Sequence, residues 1–263
     1  MLFSGIPGVP DFVAEEFHEK NSDYCVLIPI LNEAGRIEPE LIRAQEHSIS
    51  NRYDILICDA KSTDGCTNES SLRILGVNTL LTKHGEGKQG AQLRMGFWWA
   101  IQRGYKGFVT IDGNNKDSIE DVPRFIEKLE EGYDFVQGSR FIKGGKAVNT
   151  PLIRDLAIKY IHAPIISITA KQHFTDTTNA FRAYSRKYIE HPLVQPFRDV
   201  FLTYELLAYL SVRASQVGLR VCEVPVNRSY PKGERIPTKI TLFKGSNQLL
   251  TILINNLKGR YNP

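Results

Sequence analysis

Tyr24-Cys-Val-Leu-Ile-Pro-Ile-Leu-Asn-Glu33 is the stretch on which the reading of this chain turns. Mostly branched apolar residues run without a charge and then stop at Asn32 and Glu33. The run is too short for a helix of its own and shows no polar alternation, so it predicts a strand buried on both faces. A helix is expected at 38–47, then a second apolar run at 53–58 that ends at Asp59. Ser62, Thr63 and Asp64 follow with helix-capping chemistry. Further strands are expected at 78–82, at 107–111 ending in Asp112, and at 134–138, with helices at 91–102 and 119–131. Strand and helix in strict alternation argue for an α/β fold with a doubly wound, mostly parallel sheet. Ligands of such sheets sit at the carboxyl ends of the strands. Asn32, Asp59, Asp112 and Ser139-Arg140 all fall there.

Beyond residue 140 the pattern loosens. Residues 151–168 read as helix in pieces, 175–182 as a polar loop leading to a short strand, and 204–218 as a helix. A strand at 220–226 precedes a Pro- and Lys-rich loop at 229–239 and an amphipathic helix at 240–257. That last helix could lie on a membrane surface, but an apolar stripe more commonly packs on a core or a partner subunit. Trp98 and Trp99 are expected in the core.

With 42% hydrophobic and 24% charged residues among 263, the composition is that of a globular protein. A net charge of +4 is too mild for a nucleic-acid partner, yet it suits an anionic substrate or an anionic membrane surface. Cys25, Cys58, Cys66 and Cys222 form no CxxC pair, and buried thiols in a reducing compartment are expected. Residues 1–10 lack the basic and apolar segments of a signal peptide. No run of 18 apolar residues occurs. The expected location is therefore cytoplasmic, with any membrane contact peripheral, at the inner face. Composition leaves a homo-oligomer open.

Two strand-end acids on one sheet can divide the work of nucleotide binding. One, Asp59, would accept hydrogen bonds from a base or ribose, and the other, Asp112, would hold a cation against a diphosphate. Gly85-Glu-Gly-Lys-Gln-Gly90 looks like a phosphate cradle but is neither a Walker A loop nor a dinucleotide fingerprint. Lys88 within it either touches phosphate or is a solvated surface lysine.

The ordered set of motifs resembles glycosyltransferase family 2, in its dolichol-phosphate mannose synthase and polyprenyl-phosphate sugar transferase branch. The motifs are Val26-Leu-Ile-Pro-Ile-Leu-Asn-Glu33, Asp59-Ala-Lys-Ser-Thr-Asp-Gly65, Gly87-Lys-Gln-Gly-Ala91, Asp112-Gly-Asn-Asn-Lys-Asp-Ser-Ile-Glu-Asp-Val-Pro-Arg124, Gly138-Ser-Arg-Phe141 and Thr175-Asp-Thr-Thr-Asn-Ala-Phe-Arg182. The resemblance implies a GT-A fold at 24–240, with a nucleotide-binding half (24–140) and an acceptor half (141–240). Residues 1–23 would be an extension and 241–263 a helical tail. It also implies a UDP-, GDP- or CDP-linked sugar donor, a polyprenyl-phosphate or glycan acceptor and a divalent cofactor, Mg²⁺ or Mn²⁺. Pro29, Asn32, Glu33 and Asp59 would line the nucleoside pocket. Arg140 would approach phosphate near the active centre, aided by Arg182, Arg235 and Lys239.

Asp112-Gly113-Asn114 stands where relatives read Asp-Ala-Asp, and Lys116 follows two positions on. Asn114 offers a neutral oxygen where a hard cation favours charge, so a metal at Asp112 and Asn114 is expected to bind weakly. Lys116 either supplies the missing positive charge at the diphosphate or points to solvent. Transfer to a lipid phosphate needs no strong base, whereas transfer to a sugar hydroxyl needs a carboxylate, with Asp176 or Glu205 as candidates. A sugar nucleotidyltransferase and a degenerate nucleotide-binding scaffold are the rival readings. The former would carry a glycine-rich loop with arginine or lysine just after the first strand, where this chain has Leu31-Asn-Glu-Ala-Gly35.

Overall fold

The computed structural model describes residues 1–231 and 242–263. Its strands are β1 (Leu2–Phe3), β2 (Phe12–Glu16), β3 (Tyr24–Ile30), β4 (Asp54–Asp59), β5 (Val77–Lys83), β6 (Gly107–Thr110), β7 (Phe135–Ser139), β8 (Lys146–Val148), β9 (Arg182–Ser185), β10 (Val221–Pro225) and β11 (Asn227–Ser229). The helices are α1 (Ile37–Glu46), α2 (Ile49–Arg52), α3 (Glu69–Ile74), α4 (Gln89–Gln102), α5 (Val122–Glu130), α6 (Leu152–Ala157), α7 (Ala163–Ala170), α8 (Arg186–Ile189), α9 (Glu205–Gln216) and α10 (Leu242–Leu257). A π-helical turn, Ile158–His162, joins α6 to α7.

Nine of these strands form one sheet in the order β1-β2-β5-β4-β3-β6-β9-β7-β10. β5, β4, β3 and β6 run parallel, as the alternation predicts. β9 runs antiparallel between β6 and β7, and β10 runs parallel to β7. Along β3, Leu27 joins one apolar layer while Val26 and Ile28 join the other. That is the period-two outcome of burying both faces. Phe97, Leu206 and Leu210 cover the first face, and Leu41, Phe125 and Ile126 the second.

Residues 1–23 are more than an extension. β2 pairs antiparallel with β5, and β1 adds to β2. Phe3 stacks on Phe12 at 4.9 Å between ring centroids, and Trp98 and Trp99 of α4 meet both rings edge-on. Trp99 is buried and Trp98 partly so. At the other end of the chain, α10 lays Ile252 and Leu253 into the core, and Asn256 donates to the Ala208 carbonyl. The tail therefore packs on the protein. Cys25, Cys58 and Cys66 are buried thiols, while Cys222 is only half-buried.

Candidate active site

The loops after β3 and β4 are knitted together by the residues the motifs single out. Asn32 adopts the left-handed backbone (φ 52°) and its amide oxygen accepts from the Thr63 N–H at 2.8 Å. Its own N–H donates to Ser62 Oγ at 2.9 Å. The Asp59 carboxylate, buried, accepts from the Lys61 and Ser62 N–H groups and from Ser62 Oγ. Glu33 accepts from Arg36 Nε at 2.5 Å. Pro29, in register with Cys58, completes this corner of the sheet. Asn32 and Asp59 thus set the shape of this rim of the sheet.

Asp112 follows β6, one residue beyond Ile111. A Cβ on Gly113 would stand 2.5 Å from Ile30 Cγ2 and 2.9 Å from Ile28 Cγ2, so the backbone crosses β3 too closely for alanine. Gln89, at the start of α4, donates to Asp112 Oδ1 at 2.9 Å. The glycine-rich loop reaches this centre because Gly90 abuts the carbonyls of Phe201 and Thr203, where a Cβ would stand 2.7 Å from each. Lys88 is exposed, with its N–H on the Leu202 carbonyl.

A cationic cluster faces Asp112, and its chief member escaped the sequence reading. Arg228, from β11, is buried and bridges two acids, Asp112 Oδ2 at 3.4 Å and Asp117. Burial opposes its charge, but Asp117 and Asp112 outweigh that and hold it protonated. Burial pushes the Asp117 carboxyl up to about 6, against the pull of Arg228. Lys116 is buried too, 5.4 Å from the Tyr230 ring, which removes the solvent-facing alternative. Its ammonium is driven below the usual lysine value by burial and then by Arg228. Arg154 of α6 donates to the Tyr230 hydroxyl at 2.9 Å. Three cations therefore share one aromatic ring beside Asp112. Arg228 and Arg154 lie outside the motif set, and only the folded chain brings them here.

Arg140 and Asp176 meet as a buried bidentate pair, Nε to Oδ2 at 2.6 Å and Nη2 to Oδ1 at 2.9 Å. The backbone N–H groups of Thr175 and Asp176 are in turn held by Glu223, another residue the sequence did not flag. Arg182 departs from expectation. Its guanidinium is buried on the carbonyls of Asn179, Leu207 and Thr177, so it braces the loop rather than meeting phosphate. Glu205 accepts from the N–H and hydroxyl of Thr203 at the start of α9. Arg235 and Lys239 lie outside the described residues.

Among the described residues, no three His, Cys, Asp or Glu side chains converge as a ready metal site. Asp112 and Asn114 nevertheless offer two hard oxygens. Asn114 Oδ1 is buried without a hydrogen-bond partner, an acceptor that fits a divalent cation. A bound diphosphate and water would supply the remaining ligands.

The sequence matches the family model described as glycosyl transferase family 2 over residues 25–192. The chain belongs to glycosyl transferase family 2. Among the relatives of this glycosyltransferase is the undecaprenyl-phosphate mannosyltransferase of Micrococcus luteus, 28% identical over 76% of this chain and 81% of the relative. The polyprenol monophosphomannose synthase of Mycolicibacterium smegmatis is 27% identical over 76% of this chain and 75% of the relative. A solved structure of Mycobacterium tuberculosis glucosyl-3-phosphoglycerate synthase, in complex with Mn²⁺, UDP and phosphoglyceric acid, aligns with a TM-score of 0.62. It covers 89% of this chain and 78% of the other at 17% identity, a likeness that establishes the GT-A-like fold. The glycosyltransferase has no helix, among the described residues, long and apolar enough to cross a membrane.

Proposed function

We propose that this glycosyltransferase moves a sugar from a nucleotide diphosphate donor to a polyprenyl phosphate, with inversion. The observation that carries the proposal is the state of the two candidate bases. Asp176 is locked to Arg140, and Glu205 is engaged by Thr203. A hydroxyl acceptor needs a carboxylate able to take its proton; a phosphate acceptor is already anionic. The cluster of Arg228, Lys116 and Arg154 is suited to such an acceptor. The names of the Micrococcus and Mycolicibacterium relatives point to the same acceptor class.

In the proposed step, an acceptor phosphate oxygen forms a bond to the anomeric carbon. The bond from that carbon to the donor phosphate breaks, and the nucleoside diphosphate leaves with the electron pair. No proton moves. Negative charge grows on the leaving group, and the positive charge of Arg228, paired with Asp112, and of Lys116 would stabilise it. Asn32 and Asp59 shape the nucleoside rim, and Gln89 orients Asp112. A Mg²⁺ or Mn²⁺ ion held by Asp112 and Asn114 would add charge neutralisation at the diphosphate.

The test supplies UDP-, GDP- and CDP-linked sugars with undecaprenyl phosphate and either metal, and reads the lipid-linked product and its anomeric configuration. An inverted glycosyl phospholipid is expected from one donor class. Transfer solely to a sugar hydroxyl, or retention of configuration, would overturn the reading.

A further inference from the structure

Among the described residues, the most exposed apolar stretch lies next to the cationic cluster. Along α6, the π-helical turn and α7, the side chains of Leu152, Ile153, Leu156, Tyr160, Ile161 and Ile168 face solvent, four of them with 70–74% of their surface exposed. The opposite side of the same segment is buried through Ile158, Ala163, Ile166 and Ala170. An apolar face of this extent outside a core marks an interaction surface.

Charge decides among occupants. Between residues 141 and 171 stand Lys143, Lys146, Arg154, Lys159 and Lys171, against Asp155 alone. Lys143, Lys146, Lys159 and Lys171 are exposed. Apolar side chains rimmed by lysine are what an anionic lipid surface takes up, with the apolar residues sinking past the headgroups and the ammonium groups staying among them.

Covalent geometry links this face to the site. Arg154 directly follows the exposed Ile153, yet its guanidinium turns inward to the Tyr230 hydroxyl. β8 pairs with β11, so Ala147 lies in register with Arg228. The Tyr230 N–H donates to the Val148 carbonyl, and Asn149 donates to the Tyr230 carbonyl.

We infer that the α6–α7 segment is the surface by which the chain docks on an anionic membrane, and that docking brings the cationic cluster to the headgroups. This rests on the proposed lipid-phosphate acceptor only for its purpose, since docking is measured without turnover. On α10, by contrast, Ile252 and Leu253 are buried, the core packing expected of it.

The test is flotation with phosphatidylcholine vesicles containing about 30% phosphatidylglycerol, comparing the full chain with the double variant Ile153→Glu, Tyr160→Glu. Both side chains are solvent-exposed, so folding is expected to survive, and circular dichroism and melting temperature check it. Expected are salt-sensitive flotation of the wild type and a loss of at least about tenfold in the variant. Wild-type protein that stays at the bottom, or a folded variant that floats equally well, would overturn the inference. A sedimentation equilibrium showing a wild-type dimer that the variant dissolves would overturn it too, assigning the face to a second copy. The activity arm separates the two proposals. The variant should lose transfer to undecaprenyl phosphate in vesicles but keep transfer to a short, water-soluble prenyl phosphate. If neither protein uses either phosphate, the acceptor proposal fails, and flotation still decides the docking surface.

Discussion

Arg140 grips Asp176 through two parallel hydrogen bonds, and both side chains are shut away from solvent. Thr178 Oγ1 takes a further guanidinium N–H at 3.0 Å. A residue poised as a general base would not be enclosed this way. Asp176→Asn would leave the guanidinium buried without its counter-charge, at a cost of about 3–5 kcal/mol. Melting temperature should fall together with activity. If Asp176→Asn melts like the wild type and loses only turnover, Asp176 is acting in the chemistry and the phosphate-acceptor argument is weakened.

Arg228 joins Asp112 to Asp117 with one planar fork. Lysine carries the charge but cannot offer separate, fixed donors to two carboxylates. Arg228→Lys is therefore expected to fold, yet to lose about 10²-fold in turnover, the scale of removing one preorganised donor to developing charge. Initial rates with saturating donor check this. Retention of half the wild-type rate would show that charge alone suffices.

The N-terminal strands tie the edge of the sheet to α4 through aromatic contacts. Phe12 is fully buried and touches Phe3, Trp98 and Trp99. Phe12→Ala should cost about 3–5 kcal/mol in chemical denaturation. A loss below 1 kcal/mol (about the cost of a tolerated surface change) would mean that β1 and β2 are accessory.

The central strands were legible because each is a short apolar run halted by a polar strand-end residue, a pattern that only two-sided burial explains. β2 was not. Phe12-Val-Ala-Glu-Glu16 ends in two exposed acids, and its partner β5 lies more than sixty residues away. Asn32, Asp59 and Asp112 were legible for the same reason as the strands they follow. The cationic cluster was half legible. Lys116 announced itself by its place two positions after Asn114, but a lysine's default is exposure, and its burial depends on Tyr230 and Arg228 arriving from β11 and the residue after it. Arg228 and Arg154 carry no local signal, because their meaning comes from partners in other elements. Arg182 misled for the opposite reason: an arginine ending a motif suggests phosphate, whereas here three carbonyls claim it.

His162 closes the π-helical turn that joins α6 to α7. Burial holds its imidazole below the ordinary 6.5, with Asp176 pulling the other way. A histidine depressed in the folded state contributes stability in full above 6.5 and loses it as pH falls through its folded value. Acidification should therefore loosen the turn on which the exposed apolar face is built. The wild type is expected to lose more melting temperature between about pH 7.5 and about pH 5 than His162→Gln, which cannot take up the proton. Vesicle binding should follow the same contrast, because protonation strikes the segment that presents Tyr160 and Ile161. Parallel melting curves for the two proteins across that range would mean that His162 titrates alike in the folded and unfolded chains, and that the turn is indifferent to its charge.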